Sequence, residues 1–335
     1  MDIIEVARRA KVSTATVSRV LNGSPGVREK TSAHVLKVIE KLNYVPNSSA
    51  RSLRVGRSRI FGLIISDIKN PFFPELIDAF EAFATTESID VIFTHTNYDP
   101  ERLSKCVRRM IDRNVDGIAV MTSEVSKEAI ALAEQARIPL VLLNQKDYSD
   151  CCNVQVDYSQ GFREAIEHLK SLGHRKIGFI AGPQSLSSAR RRRQAFQIAL
   201  KACGLTLHRE WIAIGDLRVE GGRAAMHTLL AADSRPTAVV ASNDLMAVGA
   251  LQAAHEAGVR IPRDMSLVGF DDLPISTMVY PALSTIHLSR REIAHHAFNA
   301  LMQAIQTQHK VSLQGPPISL RLIVRQSCGR VSKNG

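Results

Sequence analysis

The chain has 335 residues, of which 45% are hydrophobic and 22% are charged, so its composition excludes a disordered protein and allows a sizeable core. This length predicts a small module joined to a larger α/β unit. Residues 1–60 contain 12 Lys and Arg against 4 Asp and Glu, whereas the remaining chain is nearly balanced. A basic module of this kind fits either contact with nucleic-acid phosphates or a solvated surface.

The first residues, Met1–Glu5, show no basic stretch followed by an apolar run, so we expect no secretory signal. No later segment reads as a membrane span. The cysteines are odd in number and lack metal-ligand spacing, which favours free thiols, a reducing compartment and no structural metal; they are Cys106, Cys151, Cys152, Cys203 and Cys328. These features predict a cytoplasmic protein.

Three short helices are predicted at the front of the chain. Asp2, with Glu5 three residues later, favours a helix start, and apolar residues follow at helical spacing up to Ala10. Ser13 can cap a second helix over Thr14–Leu21 that ends at Asn22-Gly23. A third amphipathic helix, roughly residues 28–42, closes a very small core.

The exposed positions of the second helix carry small groups and one arginine. A helix with this surface can enter a major groove, where Arg19 would pair with guanine and Ala15 or the Thr14 methyl would contact a thymine methyl. Neighbouring side chains suit phosphate oxygens, which fix position without reading sequence; the whole candidate set in this module is Ser13, Thr14, Ala15, Thr16, Ser18, Arg19 and Asn22. Periodicity alone also fits a helical triplet without this role.

From Ile60 onward, apolar runs alternate with helical stretches, which predicts parallel sheets with covering helices. The runs are Ile60–Ile65, Ile89–Phe93, Gly117–Met121 and Leu140–Leu143, then Lys176–Ala181, Ala238–Ala241 and Ser266–Phe270. Two series of runs predict two Rossmann-like lobes. Ligands of such sheets bind beyond the carboxyl ends of the strands, where amides, carboxylates, hydroxyls and an arginine follow the runs.

Arg190–Arg193 form a basic run near the expected start of a helix. Positive charge there opposes the helix dipole, and an anion would relieve it. This motivates the hypothesis of a carboxylated or phosphorylated ligand, which equal affinity for a neutral sugar and its acid would contradict.

The motifs Val12–Asn22 and Leu42–Asn47 resemble the headpiece of the lac repressor family. The resemblance continues into Ala50–Leu53, at the place of the family's hinge helix, which folds on operator DNA. It implies DNA contacts by Asn47 and Arg51, and a minor-groove wedge at Leu53. The preceding Pro46 stops the third helix, and an apolar wedge can unstack a base step.

The resemblance also covers the body, in Asn70–Phe73, Gly173–Arg175, Arg235–Ala238, Ser242–Asp244 and Val268–Asp272. It implies a periplasmic-binding-protein-like core in which a small-molecule effector is bound by Phe72, Phe73, Asn144, Ser188, Arg192, Asn243 and Asp271. It further implies a homodimer on a pseudo-palindromic operator, because paired headpieces match paired half-sites.

The expected fold is therefore an all-α helix-turn-helix headpiece plus a two-lobed α/β core of parallel sheets. The expected boundaries are a headpiece over residues 1–46, a hinge helix and linker over 47–58, and a core over 59–330. Within the core, we expect lobe one at about 59–158 plus 289–316, and lobe two at about 159–288 plus 317–330.

The leading interpretation is a transcription regulator, most simply a repressor, controlled by a sugar, a sugar acid or phosphate, or a purine. A small-solute binding protein shares the two-lobed body, but the basic headpiece counts against it. A Rossmann-type enzyme acting on a sugar or nucleoside is disfavoured, because the sequence has no GxSxG, HExxH, GxGxxG or GxxxxGK[ST] motif. We expect no catalysis, cofactor, metal or membrane partner.

Overall fold

The computed structural model describes residues 2–21, 25–44, 57–145, 151–307 and 315–331. The chain divides into two units, residues 1–59 and 60–335, and each is considered by itself.

The described residues of the first unit form three helices: α1 (Ile3–Ala10), α2 (Thr14–Leu21) and α3 (Glu29–Lys41). The Asp2 side chain accepts a hydrogen bond from the Glu5 N–H at 2.9 Å and caps α1, as its position predicts. Ser13 Oγ accepts from the Thr16 N–H at 3.1 Å and caps α2 in the same way. Both starts therefore follow from short-range capping chemistry.

The core of this unit is small. Among the residues of this unit that the structure describes, five are buried, namely Val6, Ala7, Ala10, Val17 and Val35, and the partly buried residues around them include Val20, Leu21, Ile39 and Leu42. These are the apolar positions that helical periodicity places on one face of each helix. A module with so few buried side chains has little stability in reserve.

Lobe one of the second unit is built on a five-stranded parallel sheet in the order β2-β1-β3-β4-β5. Its elements in chain order are β1 (Ile60–Ile65), α4 (Phe72–Thr86), β2 (Asp90–His95), α5 (Pro100–Asp112), β3 (Gly117–Met121), α6 (Lys127–Gln135), β4 (Leu140–Leu143) and β5 (Cys152–Val154). The four predicted runs of this lobe all form strands.

Lobe two is built on a six-stranded sheet in the order β13-β11-β10-β9-β7-β8, in which only the β11–β13 pair is antiparallel. The elements that follow β5 in the chain, all but α12 in or beside lobe two, are β6 (Val156–Asp157), α7 (Ser159–Ser171), β7 (Ile177–Ala181), α8 (Ser187–Ala202), a 3₁₀ turn (Arg209–Trp211), β8 (Ile212–Ile214), α9 (Val219–Leu230), β9 (Ala238–Ala241), α10 (Asp244–Glu256), β10 (Ser266–Asp271), α11 (Ile275–Met278), β11 (Ser284–His287), α12 (Arg290–Gln306), β12 (Ile318–Ser319) and β13 (Arg321–Ile323).

The chain crosses between the lobes more than once. After β11, α12 returns to lobe one and packs against α4, and the short ladder of β6 with β12 lies where two crossing segments meet. The central strands β3, β7, β9 and β10 are buried along their whole length, as expected when helices cover both faces of a parallel sheet. The fold class expected from the sequence is confirmed.

Candidate ligand-binding cleft and nucleic-acid interface

A cleft lies between the two lobes and has about 560 Å³ of space not filled by atoms, part of which is open solvent. The carboxyl ends of strands from both sheets surround it. Its lining combines apolar walls with hydroxyl and amide groups: Ser66, Asn70, Phe72, Phe73, Tyr98, Met121, Thr122, Ser123, Leu143, Val156, Tyr158, Ser188, Arg192, Leu217, Asn243, Asp271 and Leu288.

Six of the seven candidate effector residues line this cleft: Phe72, Phe73, Ser188, Arg192, Asn243 and Asp271. The seventh, Asn144, is not among the lining residues. Its side-chain oxygen accepts a hydrogen bond from Arg191 Nη1 at 2.9 Å, so Asn144 joins the two lobes behind the lining.

One ion pair lies in the cleft wall. Arg192 Nη2 is 3.2 Å from Asp271 Oδ1, and the guanidinium also donates to the Ser242 carbonyl at 2.5 Å. The same group stacks over Phe270, 4.0 Å from the ring centre. Burial raises the pKa of Asp271 to about 6, although Arg192 and Arg290 act to lower it. The two opposite charges therefore compensate each other in place.

Two buried polar atoms of the lining residues have no hydrogen-bond partner in the described part of the chain. They are the Ser66 hydroxyl, in lobe one, and Arg192 Nε, in lobe two. A buried donor without a partner costs free energy, and such groups are rare unless they serve a ligand or a water molecule. They therefore mark positions at which a ligand can bind.

Five of the twelve non-glycine residues with positive φ in the described part of the chain lie at or beside the cleft. Tyr98, Leu217 and Asp271 line it with positive φ angles of 60°, 67° and 104°, and Asn144 and Asp272 beside it have φ of 57° and 56°. Asp271 is the last residue of β10, and the other four come within three residues after the end of a strand. Residues other than glycine rarely adopt these angles, at a cost of about 1–3 kcal/mol each, and such residues cluster at functional sites.

The lobes contact each other on either side of the cleft. Arg218 Nη2, in lobe two, is 2.9 Å from Asp67 Oδ2, in lobe one. On another side, the Ser123 and Ser188 hydroxyls lie 2.7 Å apart, and the Ser187 hydroxyl donates to the Ser123 carbonyl. Polar contacts therefore join the two lobes at these places.

All four residues of the Arg190–Arg193 run have partners within the chain. Arg190 donates to the carbonyls of Gln184 and Ser185, Arg191 to Asn144, and Arg193 to Gln184 Oε1 at 3.3 Å. With the Arg192–Asp271 pair, each arginine of the run has a partner elsewhere in the chain, although Arg192 Nε is without one in the described residues.

The start of α8 also has a carboxylate near it. Glu124, in lobe one, lies against the Ser187 N–H and Arg190, which both act to lower its pKa, but burial dominates and raises this pKa to about 7. No acidic residue lies in the first turn of α8 itself. With a pKa of about 7 this carboxyl group is only partly ionised at neutral pH, so it compensates little of the positive charge at the start of α8.

The adjacent carboxylates Asp271 and Asp272 have different surroundings. Asp272 faces away from the cleft lining and binds His287 Nδ1 at 2.8 Å and Arg325 Nη2 at 2.6 Å. These two partners hold its pKa down at about 2 although burial acts to raise it. Only Asp271 lines the cleft.

Asn243 has a double structural role in the cleft wall. Its side-chain oxygen accepts from the Met246 N–H at 2.9 Å and caps α10, while its amide donates to the Leu217 carbonyl at 2.9 Å. It thereby holds the strained Leu217 in place.

Sequence reasoning missed most of the hydroxyl and aromatic lining, including Ser66, Tyr98, Thr122, Ser123, Tyr158 and Leu217. Ser66, Thr122 and Ser123 directly follow β1 and β3. The strand-end rule that identified the other loops would have found these three. No local signal pointed to Tyr158 or Leu217, because their place depends on how the lobes meet.

The candidate DNA-contacting helix exposes the predicted surface. Ser13, Thr14, Ala15 and Arg19 are exposed on and before α2, while Thr16 and Ser18 are half-buried. The Ser13 hydroxyl also lies 2.9 Å from that of Thr16. Four further candidates lie outside the described residues: Asn22, Asn47, Arg51 and Leu53.

Within the described part of the chain, no cluster of three metal-ligating side chains occurs. Over the same residues, no helix combines the length and apolarity needed to cross a membrane.

Comparisons with known proteins cover almost the whole chain. Residues 2–47 match the family model for bacterial regulatory proteins of the lacI family, and residues 166–328 match the model for a periplasmic binding protein-like domain. The HTH-type transcriptional repressor PurR of Haemophilus influenzae (strain PittEE) is 35% identical over 331 residues, which cover 97% of this chain and 98% of the relative.

Solved structures agree with these matches. The lac repressor dimer bound to operator and the anti-inducer ONPF aligns with a TM-score of 0.88 and 28% identity, over 98% of both chains. The transcriptional regulator CelR in complex with cellobiose aligns with a TM-score of 0.70 and 26% identity, over 98% of this chain and 99% of CelR.

Proposed function

The chain belongs to the lacI family of bacterial regulatory proteins, and from that premise we propose that an uncharged sugar or polyol controls its binding to operator DNA. As a member of this family it is a DNA-binding transcription regulator of the repressor type, it acts as a dimer, and it is not an enzyme. The alternatives of a plain solute-binding protein or a Rossmann-type enzyme are not favoured.

The proposal of an uncharged effector depends on the balance of charge in the cleft. The charged lining residues are Arg192 and Asp271, and they pair with each other. A carboxylate or phosphate on the effector would have to compete with Asp271 for Arg192 and lie beside a buried acid. An uncharged effector avoids this cost.

The other lining groups favour a molecule with several hydroxyls. Serine, threonine and tyrosine hydroxyls both donate and accept hydrogen bonds, and so do the hydroxyls of a sugar. The Arg192–Asp271 pair offers a donor beside an acceptor, a combination that matches two neighbouring hydroxyls. Phe72 and Phe73, packed edge to face with ring centres 5.2 Å apart, provide an apolar wall for the C–H face of a ring.

A thermal unfolding panel tests this proposal. It compares D-ribose, D-galactose and D-glucose with ribose 5-phosphate, galacturonate, glucuronate and glucose 6-phosphate, and with hypoxanthine and guanine. A ligand at a hundred times its dissociation constant adds about 2.7 kcal/mol, which corresponds to a rise of several degrees in Tm. We expect a neutral sugar to give the largest rise. A larger rise in Tm with a sugar acid, a sugar phosphate or a purine, or no rise in Tm with any sugar, would reject the proposal.

For DNA, we propose that α2 enters the major groove. Thr14, Ala15, Ser18 and Arg19 would face base edges, while Ser13, Thr16 and Asn22 would bind phosphates. Asn47, Arg51 and Leu53 would act in the hinge, with Leu53 as the minor-groove wedge. The exposure of Thr14, Ala15 and Arg19 supports this assignment.

Arg19→Ala is expected to cost about 1–3 kcal/mol of operator binding and to leave most non-specific binding intact, because a bidentate contact to guanine discriminates between bases. The measurement is fluorescence anisotropy with an operator obtained by selection from random DNA, and with scrambled DNA of equal length. Lys11→Ala, just outside α2, serves as the control for a general loss of positive charge. An unchanged ratio of operator to scrambled affinity would refute a base-reading role for Arg19.

We place the protein in the cytoplasm, where operator DNA is accessible to a bacterial regulator. The free thiols of Cys106, Cys203 and Cys328 fit a reducing compartment. Recovery of the native protein in the periplasmic fraction of cells would contradict this assignment.

A further inference from the structure

Arg290 stands where the chain passes from lobe two back into lobe one. It is the first residue of α12 and follows β11 by only Leu288 and Ser289. Its side chain is 13% exposed, so the guanidinium is largely withdrawn from solvent. Arg290 does not line the cleft, and sequence reasoning gave it no role.

One side of the guanidinium binds lobe one. Arg290 Nε and Nη2 both donate to Glu75 Oε2, at 3.0 and 2.7 Å. Glu75 lies in the first turn of α4, directly after the segment that carries Phe72 and Phe73. The arginine therefore holds the end of the helix that forms the aromatic wall of the cleft.

The other side binds lobe two. Arg290 Nη1 donates to the Asp271 carbonyl, and Nη2 donates to the Asp272 carbonyl at 3.1 Å. These are the two consecutive residues with positive φ angles of 104° and 56°. The strained turn that presents the Asp271 carboxylate is thus fixed from behind by a residue of lobe one.

The chemistry of arginine explains why one side chain can bind both lobes. Its planar group carries five N–H donors in a fixed arrangement, so it can serve a carboxylate and carbonyls on different edges at once. Hydrogen bonds from a charged donor are also about twice as strong as neutral ones. Lysine, a single point charge on a flexible stem, could satisfy only one of the two groups.

We propose that Arg290 is a positioning residue that links the Asp271–Asp272 turn of lobe two to the first turn of α4 in lobe one. The two walls of the cleft then shift together, and an effector that contacts either wall changes the order of both. The proposal rests on the proposed function in so far as it gives this linkage a role in effector response.

Arg325 provides the matched control. It binds the same turn, through Asp272 Oδ1 at 2.6 Å, and its other contacts are the Ser276 hydroxyl and the Leu283 carbonyl. All of these lie in lobe two. Loss of Arg325 should therefore loosen the turn without reaching α4, whereas loss of Arg290 should loosen both.

The test is hydrogen exchange, resolved by peptide, on the full-length protein without ligand or DNA. One reporter is the Leu273 N–H, which donates to the buried Asp244 Oδ2 at 2.7 Å. The other is the backbone of residues 72–77 in the first turns of α4. The variants are Arg290→Gln, Arg290→Lys, Glu75→Ala and Arg325→Gln, with Asp78→Ala as an exposed control on α4.

We expect Glu75→Ala to accelerate exchange at Leu273, in the other lobe, by about tenfold, since it removes the anchor of Arg290 on lobe one. Arg290→Gln and Arg290→Lys should accelerate both reporters, Arg325→Gln only the turn, and Asp78→Ala neither. If Glu75→Ala changes only α4 while Arg290→Gln changes only the turn, the linkage is refuted. Should Arg290→Gln fail to fold, Glu75→Ala and Arg290→Lys decide the matter.

The outcome of this exchange experiment does not depend on the proposed function. Exchange in the free protein involves neither operator nor sugar, so a negative result would leave the regulator and its effector class untouched. Equally, a blank sugar panel would leave the measured linkage standing.

Discussion

Arg192→Met is expected to weaken effector binding by about a hundredfold or more, the largest effect of any single substitution in the cleft. Arg192 is the cleft residue that pairs with Asp271, 3.2 Å away, and its Nε still lacks a partner. Methionine keeps much of the apolar stem but removes every donor and the guanidinium that stacks on Phe270. The effector would lose its charged donor, and Asp271 would stay buried without its counter-charge.

The measurement is isothermal titration with the sugar that gives the largest thermal shift. Arg193→Met is the matched control, because Arg193 is next in the chain and donates to Gln184 Oε1 rather than to a cleft residue. We expect the control to bind as the parent does. Equal affinities for Arg192→Met and Arg193→Met would remove Arg192 from the effector site.

A second outcome of Arg192→Met concerns stability. Removing one partner of a buried pair typically costs about 3–5 kcal/mol, because it leaves an uncompensated charge. Asp271 can escape this cost by taking up a proton, since loss of Arg192 raises its pKa further. The destabilisation should therefore be smaller at pH 5 than at pH 8 in urea unfolding.

Asp244→Asn is expected to change the pH dependence of unfolding. Asp244 is fully buried at the start of α10, and burial, together with the charge of Asp271, raises its pKa to about 8. Its two oxygens accept from the Leu273 N–H at 2.7 Å and the Thr285 hydroxyl at 2.6 Å. An asparagine can keep both contacts by accepting from the first and donating to the second.

The sign follows from proton binding. The folded protein holds a proton on Asp244 up to about pH 8, whereas an unfolded aspartate releases it near its ordinary value of 3.8. The Asp244 contribution to stability is therefore present at low pH and is lost as pH rises from about 4 to 8. The loss is on the order of 3 kcal/mol or more, since one pKa unit corresponds to about 1.4 kcal/mol.

Urea unfolding at pH 5.5, 6.5, 7.5 and 8.5 measures this effect as the difference between the parent and Asp244→Asn. The difference is needed because other groups titrate in the same range. The raised pKa of Glu124 acts in the same direction, and the lowered pKa values of His168 and His174 act in the opposite one. We expect the variant to gain stability relative to the parent as pH rises.

Asp264→Asn is the control for this series. Asp264 is paired with Arg260 at 2.8 Å, and its pKa is lowered to about 2, so it stays ionised across the whole range. Its curve should run parallel to that of the parent. A parallel curve for Asp244→Asn as well would mean that Asp244 is ionised in the folded protein at pH 5.5.

Asp244 also stabilises the turn that carries the cleft residue Asp271. Its carboxyl group bridges the backbone after Asp271 to the strand that carries Thr285. Gly269 leaves the space for it, because a Cβ there would lie 2.1 Å from Asp244 Oδ1. The turn that presents Asp271 is thus held by Asp244 below and Arg290 behind.

The headpiece could be predicted almost completely from the sequence. The starts of α1 and α2 depend on Asp2 and Ser13, which act on N–H groups three residues away. The buried faces follow from apolar spacing within each helix.

The strands of the core that were missed, such as β5, β6 and β12, have only two or three residues, too few to show a pattern.

The cleft was predicted less evenly. Positions such as Arg192, Asn243 and Asp271 follow from the family motifs and from the rule that ligands bind at strand ends. Asn144 also follows a strand, but its side chain is hydrogen-bonded to Arg191 of the other lobe and does not line the cleft. Strand ends give the approximate place of a residue, while the direction of its side chain depends on what lies opposite.

The sequence by itself determined the two-part organisation, the headpiece helices and the family, because composition, capping, periodicity and short motifs depend on a few neighbouring positions. The family resemblance supplied the candidate DNA-contacting and effector residues, which stay predictions. Only the tertiary structure decided which charges compensate each other. Arg192 meets Asp271 across 79 residues of chain, and Arg290 meets Glu75 across 215. Such pairs form only when distant segments of the chain fold together, and no local pattern records that approach, so the proposals on the effector's charge and on Arg290 depend on the fold.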